Sequence, residues 1–199
     1  MIYFTKDQIA QAKEIVQRFK KPKTKLDVFY NLCFCVLVPQ TKFKTVLSVI
    51  NMLKDEKFYA RPIHREALLK IISTIRFKNR KVDYLLAAKY KFEEFYKKLS
   101  PLLESERDTR AIRSFVVGEI KGIGLKAASH FLRNLGIEDL AIVDTHILQH
   151  LCVTGKKFDY FSIEDEVRAR AISQGVSVAV YDALVWGQRS GTKDYDFIY

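Results

Sequence analysis

A pair of glycines set between two segments of helical periodicity constrains this chain more tightly than any other stretch. Gly122 and Gly124 flank Ile123, and apolar side chains recur at helical spacing both before them, over residues 106–120, and after them, over residues 125–135. Glycine permits backbone conformations and close approaches that a side chain forbids, so the pair predicts a hairpin between two helices. The N–H groups that open the second helix lack intrahelical partners and carry the positive end of its dipole. They can hold a phosphate oxygen without reading a base. Taken alone, a G-x-G is equally an ordinary helix–helix turn, because short glycine motifs recur by chance.

Lys126 and Asp144 sharpen the reading. Lys126 falls in the first turn of the second helix, where a cation is electrostatically misplaced because cations favour helix C-termini. A partly buried amine held there to attack a carbon centre would account for it. Asp144, eighteen residues after Lys126, follows the apolar run Leu140–Val143 and precedes THILQHL. It is a natural N-cap for that helix, and capping alone explains it. A carboxylate in that place also supplies the negative charge that an electron-poor sugar transition state needs nearby.

At these residues, KGIGLKAASHFLRNLG followed by IVDTHILQHL, the chain resembles the helix-hairpin-helix DNA glycosylases. Their signature is a hairpin of the form LPGVG, a lysine two positions after its second glycine, and a V-D-x-H segment. The resemblance implies an all-α fold of two helical lobes, with the hairpin motif and an active-site cleft between the lobes. It also implies excision of damaged bases and, in members that have the lysine, strand cleavage. Residue by residue, Lys126 falls on the Schiff-base lysine, Asp144 on the family aspartate, and Gly122 and Gly124 on the phosphate-binding hairpin. Lys121 stands where the family commonly has proline and offers a further phosphate contact. The signature spans Val117–Leu148, and the helical pattern and length extend a looser resemblance over most of the chain.

At 199 residues, 48% hydrophobic and 13% aromatic, the chain is long enough for one good core or two small lobes. The expected division is a central lobe over roughly 25–135, carrying the hairpin, and a second lobe made of 1–24 with 136–199. A net charge of +11 favours a polyanionic partner; double-stranded DNA containing damaged bases is the partner that the resemblance implies. The longest apolar run is broken at Asn31 and Pro39, and no signal-peptide pattern opens the chain. A soluble intracellular monomer with no membrane partner is therefore expected. Cys33 and Cys35 lie in an apolar helical run and read as buried thiols. With Cys152 they are too few for the cysteine quartet that holds an iron–sulfur cluster in the endonuclease III branch of the resembling family, and no cofactor is expected.

In chain order, Thr5 with Gln8 forms a capping box that opens a first helix running to about Lys20. Leu26–Val38 reads as a helix buried on nearly every face, ended by Pro39. In the resembling glycosylases a polar residue of the next loop fills the gap left by an extruded base, and Gln40 matches it in place and type. An amide there would offset part of the cost of extrusion, a few kcal/mol; otherwise Gln40 is a polar loop residue. Helices are expected over 43–53 and 64–75. In the following IRFKNRKVDYL, Arg76, Lys78, Arg80 and Lys81 interleave with Phe77 and Tyr84, a mixture that suits phosphate contact beside aromatic stacking. Each lysine there, taken singly, reads as a solvated helix start, and the resemblance puts Phe77 near the base pocket. A long helix over 82–99 is expected to break at Pro101. Ser162 with Asp165 reads as a second capping box, for a helix that Gly175 ends. The last helix carries Trp186, a core anchor on general grounds and a pocket wall by the likeness of its WGQRSG tail to the compact archaeal-type 8-oxoguanine glycosylases. Nothing alternates with period two for long enough to propose a sheet.

His146 and His150 stand four apart on one helix, as zinc ligands can, with Cys152 close behind. The position after His146 is Ile147, however, where H-E-x-x-H carries its glutamate, so no catalytic metal is expected. The missing cysteine quartet argues against an endonuclease III type for oxidised pyrimidines. A chain this short and helical argues against the larger 8-oxoguanine enzymes with an added β domain. The resemblance then points to the compact 8-oxoguanine glycosylase/lyases. A cluster-free glycosylase/lyase for pyrimidine lesions and a non-catalytic helix-hairpin-helix DNA-binding module stay open as alternatives.

Overall fold

The structure, a computed structural model, describes residues 4–105, 108–155 and 157–190. All regular structure among the described residues is helical. In chain order the helices are α1 (Lys6–Phe19), α2 (Lys25–Leu37), α3 (Phe43–Asp55), α4 (Arg65–Ile71), α5 (Lys78–Leu103), α6 (Thr109–Glu119), α7 (Leu125–Arg133), α8 (Thr145–His150), α9 (Tyr160–Ser173) and α10 (Val178–Ser190). The chain divides into two compact units: Lys23–Phe131 is one, and the described parts of Met1–Pro22 and Leu132–Tyr199 make the other. No helix among the described residues is long and apolar enough to cross a membrane.

In the unit Lys23–Phe131, α2 is the central element. Thr24 and Asp27 cap its start reciprocally, with Asp27 N–H donating to Thr24 Oγ1 at 3.2 Å and Thr24 N–H to Asp27 Oδ2 at 2.9 Å. Every residue from Val28 to Leu37 is buried, as the apolar run predicts. The Phe29 ring meets Tyr59 and Phe92 edge-on at 5.1 and 4.9 Å between centroids, the arrangement aromatic quadrupoles favour. The paired helices α6 and α7 are braced by Arg113, wholly buried, which donates to Ser129 Oγ at 3.0 Å. Asn31 ties α7 to α2 by donating to Phe131 O at 3.0 Å.

Two boundaries here differ from expectation. Helix α5 begins at Lys78 and runs to Leu103, with Pro101 inside its last turn. So near a C-terminus few ladder bonds remain to be lost, and the proline is accommodated. Conversely α4 covers only Arg65–Ile71, and the chain then tightens into turns, with Ser73 N–H donating to Lys70 O and Ile75 N–H to Ile72 O. Those turns still direct Ile72 and Ile75 inward, which is why the apolar spacing alone looked like a longer helix.

In the other unit, Ala12, Ile15, Val16 and Phe19 of α1 pack on Ala179, Val180, Ala183 and Leu184 of α10. A second cluster joins Val143 and Ile147 to Val167 and Ala171 of α9 and to Tyr181 and Val185 of α10. Helix α9 starts earlier than expected. Its N-cap is Asp159, which accepts from Ser162 N–H at 2.9 Å and from the Ser162 hydroxyl at 2.6 Å, so Ser162 lies in the first turn and does not open a box with Asp165. The earlier start places Tyr160 and Glu164 on one face, one turn apart, where both meet the segment before Asp144.

Candidate active site and nucleic-acid interface

Between α6 and α7 the backbone reverses over Ile120–Gly124. Gly122 has φ +91°, a conformation that side chains rarely adopt, and a Cβ added there would lie 2.2 Å from Cδ2 of Tyr84. Gly122 is therefore required twice, for its backbone conformation and for the ring above it. Ala128 N–H donates to Gly124 O at 2.9 Å, the first bond of α7, so Gly124 holds the N-cap position and the N–H groups after it have no helical partner. Ile123 turns inward as the buried anchor of the hairpin, while Lys121, Gly122, Gly124 and Lys126 are exposed. The expected partial burial of Lys126 is thus corrected: its place in the first turn of α7 leaves the side chain open to solvent.

The opening turns of α5 gather the other candidates of this unit. Phe77 caps the helix in the left-handed region, φ +59°, with its ring 55% exposed and the Arg76 guanidinium 5.0 Å from the ring centroid. One turn on, Lys81 departs from the solvated reading. It is 5% exposed, and its Nζ donates to Leu37 O and Pro39 O, each at 2.6 Å, and to Thr41 Oγ1 at 3.3 Å. Burial pulls its amine down to about 8. Another turn on, Tyr84 covers Gly122. Asp83 takes a hydrogen bond from Arg65 Nε at 2.8 Å, which holds its carboxyl below the usual carboxylate range, with the Lys121 charge adding to the effect. Helix α5 thus touches the Gln40 turn through Lys81 and the hairpin through Tyr84.

Gln40 sits in a tight turn closed by Thr41 N–H donating to Val38 O at 3.1 Å. Pro39 and Gln40 are its central residues, and Gln40 has φ +57°, the left-handed value that the third position of a type II turn demands and glycine usually fills. The side chain is exposed.

Asp144 and Trp186 belong to the other unit. Asp144 is the N-cap of α8, its Oδ1 accepting from His146 N–H at 2.8 Å and Ile147 N–H at 3.1 Å. The apolar run before it, Leu140–Val143, is neither helix nor strand. Side chains of α9 serve its backbone: Tyr160 hydroxyl donates to Ala141 O at 2.9 Å and accepts from Val143 N–H at 3.3 Å, and the wholly buried Glu164 accepts from Ala141 N–H at 3.2 Å. Those contacts aim Asp144. Trp186 is half-buried near the end of α10, and the tail beyond Ser190 lies outside the described residues. His150 Nε2 is bonded to the Tyr181 hydroxyl at 2.8 Å and its ring stacks with Phe4, so its neighbours are a phenol and an aromatic ring. Among the described residues, no three His, Cys, Asp or Glu side chains converge as metal ligands do.

Sequence reasoning named Lys81 and Tyr84 only as part of a basic and aromatic run suited to phosphate and stacking, and it missed Tyr160, Glu164 and Arg113. For Lys81 a signal existed: it stands four, seven and eleven residues before Leu85, Ala88 and Phe92, in phase with the buried face of α5. For the others, polar and apolar roles look alike until a partner helix is in place.

An exposed lysine in the first turn behind a glycine hairpin, on an all-helical frame, defines a protein of the helix-hairpin-helix class. Comparison with known proteins narrows this. A family model described as 8-oxoguanine DNA glycosylase matches residues 9–169. The chain is 31% identical over 175 residues to the 8-oxoguanine DNA glycosylase/AP lyase of Saccharolobus islandicus, spanning 82% of this chain and 83% of that one. It is 30% identical over 210 residues to the enzyme of that name in Fusobacterium nucleatum, covering 94% and 92% of the two chains. The crystal structure of the Methanocaldococcus jannaschii 8-oxoguanine glycosylase/lyase in complex with a 15mer DNA containing 8-oxoguanine superposes with a TM-score of 0.77 at 29% identity, over 94% of this chain and 91% of that one. The chain belongs to the 8-oxoguanine DNA glycosylase family.

Proposed function

We propose that this protein removes 8-oxoguanine from double-stranded DNA and cleaves the strand at the resulting abasic site, with Lys126 as the nucleophile and Asp144 as the charge that steadies the sugar. Supporting the reading are the match to the family over most of the chain and, above all, the exposure of Lys126 one turn from a backbone-gripping hairpin.

The free N–H groups at the start of α7 and the Lys121 ammonium take the phosphate backbone. Gln40 occupies the gap left by the extruded base, Phe77 and Trp186 are each a candidate for contact with that base, and Arg76 bears on the backbone. As the glycosidic bond breaks, positive charge grows on the deoxyribose, and the Asp144 carboxylate stabilises it. The Lys126 amine forms a bond to the anomeric carbon, and the base leaves with the glycosidic electron pair and a proton. The bond from that carbon to the ring oxygen then opens to an imine. This acidifies the 2′ position; loss of a 2′ proton expels the 3′ phosphate, and hydrolysis of the imine frees the lysine.

Borohydride reduces such an imine to a stable cross-link, which provides the test. The unaltered chain is expected to become covalently attached to an oligonucleotide carrying 8-oxoguanine opposite cytosine, and Lys126→Ala to give no cross-link and no strand cleavage. Equal trapping by Lys126→Ala removes the lysine from the mechanism.

A further inference from the structure

Gln40 holds a conformation that its own residue type disfavours. A left-handed φ on a non-glycine residue is disfavoured and persists only where the surroundings over-determine it. Here one side chain does much of that. Leu37 is the last residue of α2, so its carbonyl has lost its helical partner. Pro39 immediately precedes Gln40, and Thr41 immediately follows it. Lys81 Nζ lies within hydrogen-bond distance of an oxygen from each of these three residues, so both flanks of Gln40 and the helix end that leads into it share one donor.

We propose that Lys81 is a positioning residue for base extrusion: by tying Leu37 O, Pro39 O and Thr41 Oγ1 together it holds the Gln40 amide in place to stand opposite the orphaned partner base. The proposal rests on the gap-filling reading of Gln40 given above. Lys81 does not itself meet DNA, because its ammonium is turned inward and the residue is buried. A merely structural role, capping the end of α2, is the competing explanation, and the same helix supplies the comparison. Lys89, two turns further along α5, donates in the same manner to Phe58 O and Arg61 O, and the loop it secures contains no candidate site residue.

The test uses the full chain in single-turnover excision on two duplexes, one with 8-oxoguanine opposite cytosine and one with 8-oxoguanine opposite a tetrahydrofuran abasic analogue. Only the first offers a partner base for an amide to engage. Lys81→Met and Gln40→Ala are each expected to lose about tenfold on the first duplex and to stay within about twofold on the second, the size of one polar contact to a desolvated base. The double variant should fall no further than Gln40→Ala alone. Lys89→Met should change both rates in proportion. The readout is a ratio within one preparation, so a partly unfolded sample does not distort it. Should Lys81→Met fail to fold, Lys81→Gln keeps an uncharged donor, and a shifted ratio is expected from it too. If Gln40→Ala shifts the ratio and the Lys81 variants leave it unchanged, the positioning role is overturned while the reading of Gln40 stands. If Gln40→Ala leaves the ratio unchanged, that reading falls and the role of Lys81 falls with it.

Discussion

Gly122 and Gly124 look alike in sequence and have different obligations. A side chain at Gly122 would meet both a disfavoured φ and the Tyr84 ring, whereas a Cβ at Gly124 meets nothing within 4 Å. Gly122→Ala is expected to cost about 2–4 kcal/mol, strain and overpacking together. Gly124→Ala should stay within about 1 kcal/mol of the unaltered chain while weakening DNA binding, because in the proposed interface its methyl would stand between the backbone and a phosphate. Urea unfolding and a binding titration on the two variants check both halves. Asp144 poses a similar separation of roles. Asparagine caps a helix nearly as well as aspartate, so Asp144→Asn should keep stability within about 0.5 kcal/mol, whereas Asp144→Ala should lose roughly 1 kcal/mol. Base release by Asp144→Asn should nonetheless slow by on the order of a hundredfold, since the cap survives and the charge does not. An unchanged single-turnover rate would mean that the residue only caps.

Among elements, α9 shows how a helix start can be misplaced by one turn and why that matters. Ser162 and Asp165 have the spacing of a capping box, and so have Asp159 and Ser162, and local sequence does not rank them. The choice is made by α9's own duties: only the earlier start brings Tyr160 and Glu164 to the backbone of residues 141–143. Asp159→Ala is expected to lower the midpoint of thermal unfolding at neutral pH, because the cap is lost. The Ser162 hydroxyl and N–H hold the Asp159 carboxyl below its ordinary value. A depressed carboxyl contributes stability that is complete above the unfolded value of about 4 and is lost as pH falls through the folded one. The gap between the two chains, followed by thermal unfolding, should therefore be full above about pH 4 and narrow below it. Helix α5 shows a different limit. Its buried face was legible from Val82 onward, but Lys81 at the head of that face was read by its charge and not by its phase.

For the whole molecule, a net charge of +11 is an association argument that becomes specific only through the residues that meet phosphate. Each phosphate-contacting cation contributes close to one unit to the slope of log affinity against log salt, so Lys121→Ala should lower that slope by about 1 and weaken binding alike for lesion-bearing and intact duplexes. A filter-binding series in salt measures it, and a slope equal to that of the unaltered chain would take Lys121 out of the interface. The helical class, most helix positions, the Thr5 and Asp144 caps, the hairpin and the place of a lysine in the first turn behind it were determined by the sequence alone; that this lysine is open to solvent was not. Each follows from spacing along one chain: a period of 3.6, a short polar side chain ahead of a helix, or a glycine where a turn must reverse. The tertiary structure alone decided that Lys81 faces three oxygens, that Tyr84 closes over Gly122, and that Tyr160 and Glu164 serve the backbone of residues 141–143. In each of these cases the partners are distant in sequence. A polar side chain carries no mark of whether water or a buried carbonyl will satisfy it until the packed helices supply one or the other.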